Sequence, residues 1–546
     1  MAVFIVLFLT ASALGFGNYY YDYILCRYLS DDSETAKAYC LRALDQKPTP
    51  SLYMDTIRLV MALRETDEAL KIAKDYLRTF PDLVDPYIAM YSVYRLKGEK
   101  NKAVKVLERA YRKFPNNREV LIFLADEYLK MRRTEKAKEV IERLAEITPD
   151  SPFPYYLLGQ IYMREGDTDR AIEYLQKALE IRKTFEAAFV TLGKIYEGRE
   201  EYSKAEELYR EVLKEDPDNR VVLEKLAQLY MATGRVEEAK GIFSRLYSMF
   251  PENYQYGYQY GIALLQSGDF GEAREVLGRL YDRFPEDLNI AYSYALSLEV
   301  TGDLEKAKAI YEEIYSKIPN NQKVIERIAT VYIHLGEKEK AEKIIEKGLF
   351  LNPASVRLLL LKANLLMDRE DYEGALEAVE RAISLNPNDY RGYFLKAIVL
   401  DHLGRIVEVE KALRKAIDLN PDNPDLYNHL GYSLLLWYGD ARVDEAEQLI
   451  RKALSEDPDN PAYIDSMGWV YYLKGDYERA IQYLLDALRR AYDDPVVNEH
   501  VGDVLLKMGF EESAKRYYEE ALRLLDAGKE GERGQRERIL RKLREL

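Results

Sequence analysis

Few residues in this chain could do chemistry. Its 546 residues include 4 His and 2 Cys. The histidines are His334, His402, His429 and His500, and no two lie within 20 residues of each other. His334 and His402 hold equivalent places two repeats apart, too separated to suggest a metal site. There is no His-Glu-x-x-His, no Cys-x-x-Cys, no glycine-rich phosphate loop and no nucleophile elbow. Paired carboxylates such as Asp493-Asp494 and Glu237-Glu238 sit where helices should start, and the helix dipole accounts for them. Cys26 and Cys40 are fourteen residues apart. In an exported protein they would form a disulfide pinning the first hairpin; otherwise they are two small buried apolar side chains. The expectation is a protein that is not an enzyme, with no catalytic residue, no metal and no cofactor.

Composition narrows the remaining classes. With 47% hydrophobic and 32% charged residues the chain is expected to fold, not to be disordered. A net charge of -15 argues against a general nucleic-acid binder. The anomaly is 46 Tyr against 16 Phe and 2 Trp. Tyrosine supplies rigid, half-polar recognition surfaces, and a repeat motif that calls for it would also inflate the count. Residues 1–17 are an apolar run ending in small residues, too short for a comfortable membrane span. Ala11-Ser12-Ala13 or Ala13-Leu14-Gly15 would suit a secretory cleavage site. No Lys or Arg precedes the run, so a retained N-terminal anchor is the alternative, and only then is membrane contact expected. Tyr23-Ile24-Leu25 before Cys26 lacks the small residues that precede a lipidated cysteine, which makes a lipid anchor doubtful.

The elements that must position everything else are repeats. Between Pro149 and Lys183, Tyr155, Leu158, Gly159 and Tyr162 share one helical face, and Ala171, Leu175 and Ala178 form the facing stripe of a second helix. Gly166 and Asp167 stop the first helix, and Thr168 or Asp169 is placed to cap the second. Alanine recurs every 34 residues at Ala69, Ala103, Ala137, Ala171, Ala205, Ala239, Ala273, Ala307, Ala341 and Ala375. Val409 takes the next place; after an insertion around Gly439 to Val443, Ala446, Ala480 and Ala514 resume. Prolines keep the same time, from Pro81 to Pro421, each closing a second helix, with Lys183 in one of the places.

This 34-residue pattern resembles the tetratricopeptide repeat. The resemblance implies an all-α solenoid of about fifteen helix-turn-helix units over residues 18–526, wound as a right-handed superhelix with first helices inside. Residues 527–546 are expected to be a linker and a capping helix, with Ile539, Leu540, Leu543 and Leu546 on one side. Its basic residues, Arg536, Arg538, Arg541, Lys542 and Arg544, read as a solubilising cap or as a patch for an acidic partner or anionic lipid.

The repeat register points to an inner wall carrying Phe153, Tyr156, Met163, Tyr258, Ile262, Tyr292, Leu296, Phe394, Ile398, Tyr432, Leu435, Trp469 and Tyr472. Solvated helix faces are usually charged. An apolar, aromatic one suits proteins or extended peptides as partners, with Trp469 and Tyr472 as a hot spot; packing between first helices is the other reading. Co-chaperones of this family grip a terminal carboxylate with paired Lys and Asn; the pairs here are Tyr156/Gln160, Tyr258/Ile262, Phe394/Ile398 and Asp465/Trp469, and that clamp is absent. The last third, with Asn428 to Leu434, Asp444 to Leu454 and Asp465-Ser466-Met467-Gly468-Trp469, resembles exported bacterial tetratricopeptide adaptors of the LbcA type. These hold a carboxy-terminal processing protease and deliver cell-wall hydrolases to it. The resemblance implies a non-catalytic scaffold or adaptor, exported to the periplasm or outer membrane. The alternatives are a part in outer-membrane or surface-polysaccharide assembly, or a regulatory subunit that activates an enzyme.

Overall fold

The computed structural model of the protein describes residues 18–28, 33–529, 531–532 and 534–546. The apolar opening 1–17, read as a leader, lies outside them. Among the described residues the regular elements are α-helices and one short 3-10 turn, Gly439–Arg442, which takes up the insertion. The helices run as fifteen pairs, from Asn18–Tyr28 with Ser33–Gln46 to Pro495–Lys507 with Glu511–Asp526, and a single helix Gln535–Glu545 follows. No described helix is long and apolar enough to cross a membrane. The pairs gather into two compact units, Met1–Ala263 and Leu264–Leu546. The sequence shows no linker there because the boundary falls inside the helix Tyr254–Ser267. Where each repeat touches only its neighbours, a division needs no change of composition.

The pair Phe153–Glu165 and Thr168–Ile181 shows why these residues form these elements. Pro154 sits in the first turn, where its missing N–H is no loss. Gly166 ends the helix in the left-handed conformation at φ 82. The second helix is capped by Asp167, whose side chain accepts from the Arg170 N–H at 3.1 Å, one residue earlier than the expected Thr168. A Cβ built on Gly159 would stand 2.9 Å from Leu175 Cγ and 3.3 Å from the Ala171 carbonyl oxygen. The two helices touch through small residues, and nothing larger fits at this spacing.

That contact is what the 34-residue alanine series records. All thirteen alanines from Ala69 to Ala514 in the series are 0% exposed, and so is Val409 in its substituted place. Two residues after most prolines of the series stands a capping side chain: Asn117 and Asn219 in the first unit, and Asp287, Asn321, Ser355, Asp389 and Asn423 in the second. This cap signal is visible in the sequence beside the prolines, although the alanine and glycine periods alone suffice for the register. At the left-handed turn position four repeats carry Arg64, Arg132, Glu200 and Glu370 instead of glycine, at φ 55 to 65.

The tyrosine excess has a structural share. Tyr128 donates to Glu108 at 2.9 Å, Tyr196 accepts from Gln176 at 3.1 Å, Tyr230 accepts from Arg210 at 3.1 Å, Tyr332 donates to Glu312 at 2.8 Å and Tyr471 accepts from Arg451 at 3.1 Å. Each pair spans twenty residues and ties a first helix to the second helix of the preceding repeat. A second set, Tyr209, Tyr311 and Tyr518, is fully buried and donates to Glu197, Glu299 and Asp503 at 2.7, 2.9 and 2.7 Å. Repeat architecture thus uses many tyrosines before any partner is considered.

The first pair of helices is pinned by a Cys26–Cys40 disulfide. The sequence alone leaves this open against two free buried thiols.

Candidate protein-binding face

The inner-register side chains divide by unit. In the first unit the helix Phe153–Glu165 leaves Phe153 and Met163 exposed at 40% and 41%. Tyr156 is half-buried, its hydroxyl accepting from Gln160 and its ring meeting the Phe185 ring edge-on at 5.6 Å. Tyr258 and Ile262 are half-buried. This helix therefore presents apolar and aromatic groups to solvent, where an ordinary surface helix presents charge.

In the second unit the same register is mostly engaged within the molecule. Tyr292 lies edge-on to Tyr311 at 5.9 Å and Phe394 edge-on to His429 at 5.3 Å, while Leu296 and Ile398 are half-buried. Leu435, expected on the partner face, is 2% exposed and packs in the core with Leu434 and Val443. The difference has a physical source. The helix Pro424–Tyr438 has 15 residues against 13 in most of its counterparts and runs straight into the insertion, so that Leu435 packs with Val443 on the far side of the turn, while Leu436 stays 49% exposed.

The densest constellation lies at the end of this unit. Trp469 stacks on Tyr472 at 4.4 Å and on His500 at 4.3 Å, the planes within 15° and 21° of parallel. His500 is buried, with Nδ1 3.0 Å from both carboxylate oxygens of Asp465 and Nε2 3.3 Å from the Tyr432 hydroxyl. That hydroxyl also donates to Glu532, so it accepts from Nε2–H, and both ring nitrogens act as donors, as in a protonated imidazole. Burial opposes the charge, but Asp465, through its charge and its hydrogen bond, and then Glu532 and Asp503 outweigh it and push His500 up to about 9. The Tyr432 hydroxyl is held well above its ordinary value by burial and by Glu532 and Asp465.

Beside this stack, Glu499 is 1% exposed and receives Arg538 bidentately at 2.7 and 2.8 Å and Lys542 at 2.7 Å. Burial would raise its carboxyl, yet the two cations hold it below the usual range. Lys542 also reaches Asp503 at 2.5 and 2.6 Å, and Arg538 reaches Glu532 at 2.7 Å. Two of the basic residues expected to face solvent or lipid are thus bound to this chain's own carboxylates, which the charge pattern of the last helix could not reveal. Among the described residues no three His, Cys, Asp or Glu side chains converge as a metal site would. What this arrangement does is orient side chains: it holds Trp469 and Tyr472 in one geometry and closes the C-terminal segment over Tyr432.

Comparison with known proteins bears on the fold. A family profile described as the tetratricopeptide repeat protein 21 C-terminal ARM domain matches residues 62–256. Two tetratricopeptide repeat profiles match residues 258–322 and 360–424, and 301–365 and 438–499. No curated protein matches the chain. Among solved structures the chain is similar to one in the APC/C hetero-tetramer Cut9-Hcn1, at 15% identity and TM-score 0.44, over 90% of this chain and 98% of that one. It is also similar to a tetratricopeptide repeat protein from Parabacteroides merdae ATCC 43184, at 20% identity and TM-score 0.36, over 46% of this chain and 98% of that one. The profiles fall on the same helix pairs that the 34-residue alanine contact builds: the chain folds as an α-solenoid of tetratricopeptide-type helix pairs.

Proposed function

We propose that the protein is a non-catalytic scaffold that holds partner proteins or extended peptides against the first helices of its repeats. The observation that carries this reading is the helix Phe153–Glu165, where Phe153 and Met163 stand exposed in the register of the inner wall. Several such weak contacts along one array would add up to firm retention without any deep pocket. The Cys26–Cys40 disulfide supports an oxidising compartment outside the cytoplasm, in keeping with export to a bacterial cell envelope. The likeness of Asn428 to Leu522 to LbcA-type adaptors supports a carboxy-terminal processing protease and its cell-wall hydrolase substrates as the partners.

The test is affinity capture from a bacterial envelope fraction with the wild-type chain and with Phe153→Ala/Met163→Ala. Both side chains are exposed at the surface, so the melt should change little while captured partner falls roughly tenfold. Equal capture by the two chains would remove this face from the mechanism. Adding the purified chain to a captured protease and measuring turnover separates passive delivery from activation.

A further inference from the structure

The end of the second unit is an acidic, aromatic wall with something already lying on it. Glu499 and Asp503 stand there beside Tyr432 and Trp469, with Asp465 paired to His500 behind them, and the chain's own C-terminal segment supplies the compensating charge to Glu499 and Asp503 through Arg538 and Lys542. The segment reaches far along the wall: Glu532 bonds Tyr432, a hundred residues earlier, and the Gln535 side-chain amide donates to the Pro495 carbonyl at 2.9 Å. We propose that this wall is a receptor for a basic amphipathic helix of a partner protein, and that Gln535–Glu545 occupies it as an internal stand-in. The proposal rests on the protein-binding reading above and names the chemistry of one partner.

Three observations favour an exchangeable occupant over a permanent part of the array. The docked helix is held mainly by charge pairs, and within it only Gln535 and Ile539 are buried, against eight buried residues in Pro495–Lys507. Its tether contains Gly528 and Gly534 in left-handed conformations at φ 86 and 66, which no ordinary side chain would favour. The surface beneath is selective. Glu499 is 1% exposed, so any occupant must bring cations to it or leave a buried carboxylate unpaired. Arg538 and Lys542 are four residues apart, hence on one helical face, with Ile539 and Leu543 filling the apolar strip against Tyr518 and Leu505. A partner helix with two cations at that spacing and aliphatic residues one position after each would meet the same groups.

The probe is a fluorescein-labelled peptide of residues 535–546, titrated into the full-length chain and read by anisotropy and by Trp469 emission. The wild-type chain should take it up weakly, because the tethered helix competes at high effective concentration. Arg538→Glu/Lys542→Glu should release the internal helix and tighten peptide binding roughly tenfold or more, and adding Glu499→Gln/Asp503→Asn should abolish that gain. A released chain that melts like wild type yet takes up no peptide overturns the proposal. Hydrogen exchange on the unmodified chain tests the same point independently: amides of 535–545 should open well before those of Pro495–Lys507. If the two helices exchange only together, the last helix is a fixed part of the core and the proposal fails. Neither readout depends on Phe153 or Met163, so failure of the capture experiment would leave this result standing, and the reverse.

Discussion

Raising the pH should loosen the C-terminal repeats because of one histidine. His500 is buried against Asp465, Tyr432 and Trp469 and is pushed from the ordinary 6.5 up to about 9. A folded pKa above the unfolded one means that protonation stabilises the fold. The stabilisation is complete below the unfolded value and disappears as pH rises through the folded value. The rise from 6.5 to about 9 corresponds to about 3 kcal/mol at most, most of which remains at pH 7, where the unfolded imidazole is already mostly neutral. By pH 10 essentially none is left. In a repeat array such a loss is local, so a global melt would dilute it. Hydrogen exchange of Pro461–Leu473 and Pro495–Lys507, corrected for the intrinsic rate, should show protection falling by more than about tenfold between pH 7 and 10. Trp469 emission should change over the same range with a midpoint near 9, because its ring stacks on the titrating imidazole. His500→Gln should erase both transitions. Flat protection and flat emission across this window, or an unchanged slope in His500→Gln, would refute the charge assignment and with it the reading of Asp465 as the group that holds His500 charged.

Other outcomes follow from the close packing of the first unit. Gly193→Ala should lower the urea midpoint, since its Cβ would stand 2.1 Å from the Tyr209 hydroxyl, at about 1–3 kcal/mol of overpacking. Gly241→Ala, with nothing within 4 Å of the added carbon, should raise it by about 0.5–1 kcal/mol; shifts in the same direction would contradict the close approach. Arg132→Gly and Glu200→Gly, at φ 55 and 59, should each gain about 1 kcal/mol by removing left-handed strain, and a loss in urea titration would count against that. Cys26→Ser/Cys40→Ser should destabilise the first pairs by about 3 kcal/mol, and reductant should bring the wild-type chain to the same midpoint. A wild-type chain indifferent to reductant would mean that the bond does not constrain the hairpin.

Much of the architecture was legible in one dimension because a repeat turns a tertiary contact into a period. Ala69 to Ala514 mark where second helices touch first helices, and that contact is made within one short pair, so its signature lies within 34 residues and recurs. The helix pairs, the turn glycines, the solenoid class and the candidate pairing of Cys26 with Cys40 were readable for the same reason. What the inner face does was less legible. Register alone put Leu435 beside Tyr432 and Trp469, yet it packs in the core with Leu434 and Val443. Tyrosine counting could not divide inter-repeat bonds such as Tyr128–Glu108 from exposed recognition groups.

The groups around Trp469 depended on tertiary structure most of all. His500 comes to Asp465 from thirty-five residues away, and Glu532 to Tyr432 from a hundred. The alanine and glycine periods do not carry such pairings, because they form only when the first helices of consecutive repeats lie side by side and the chain's end folds back over them. The sequence by itself determined the repeat, its spacing and the chemistry available on each helix. Which of those side chains stay open to solvent, and which the protein has bound to itself, follows only from how the repeats pack in three dimensions.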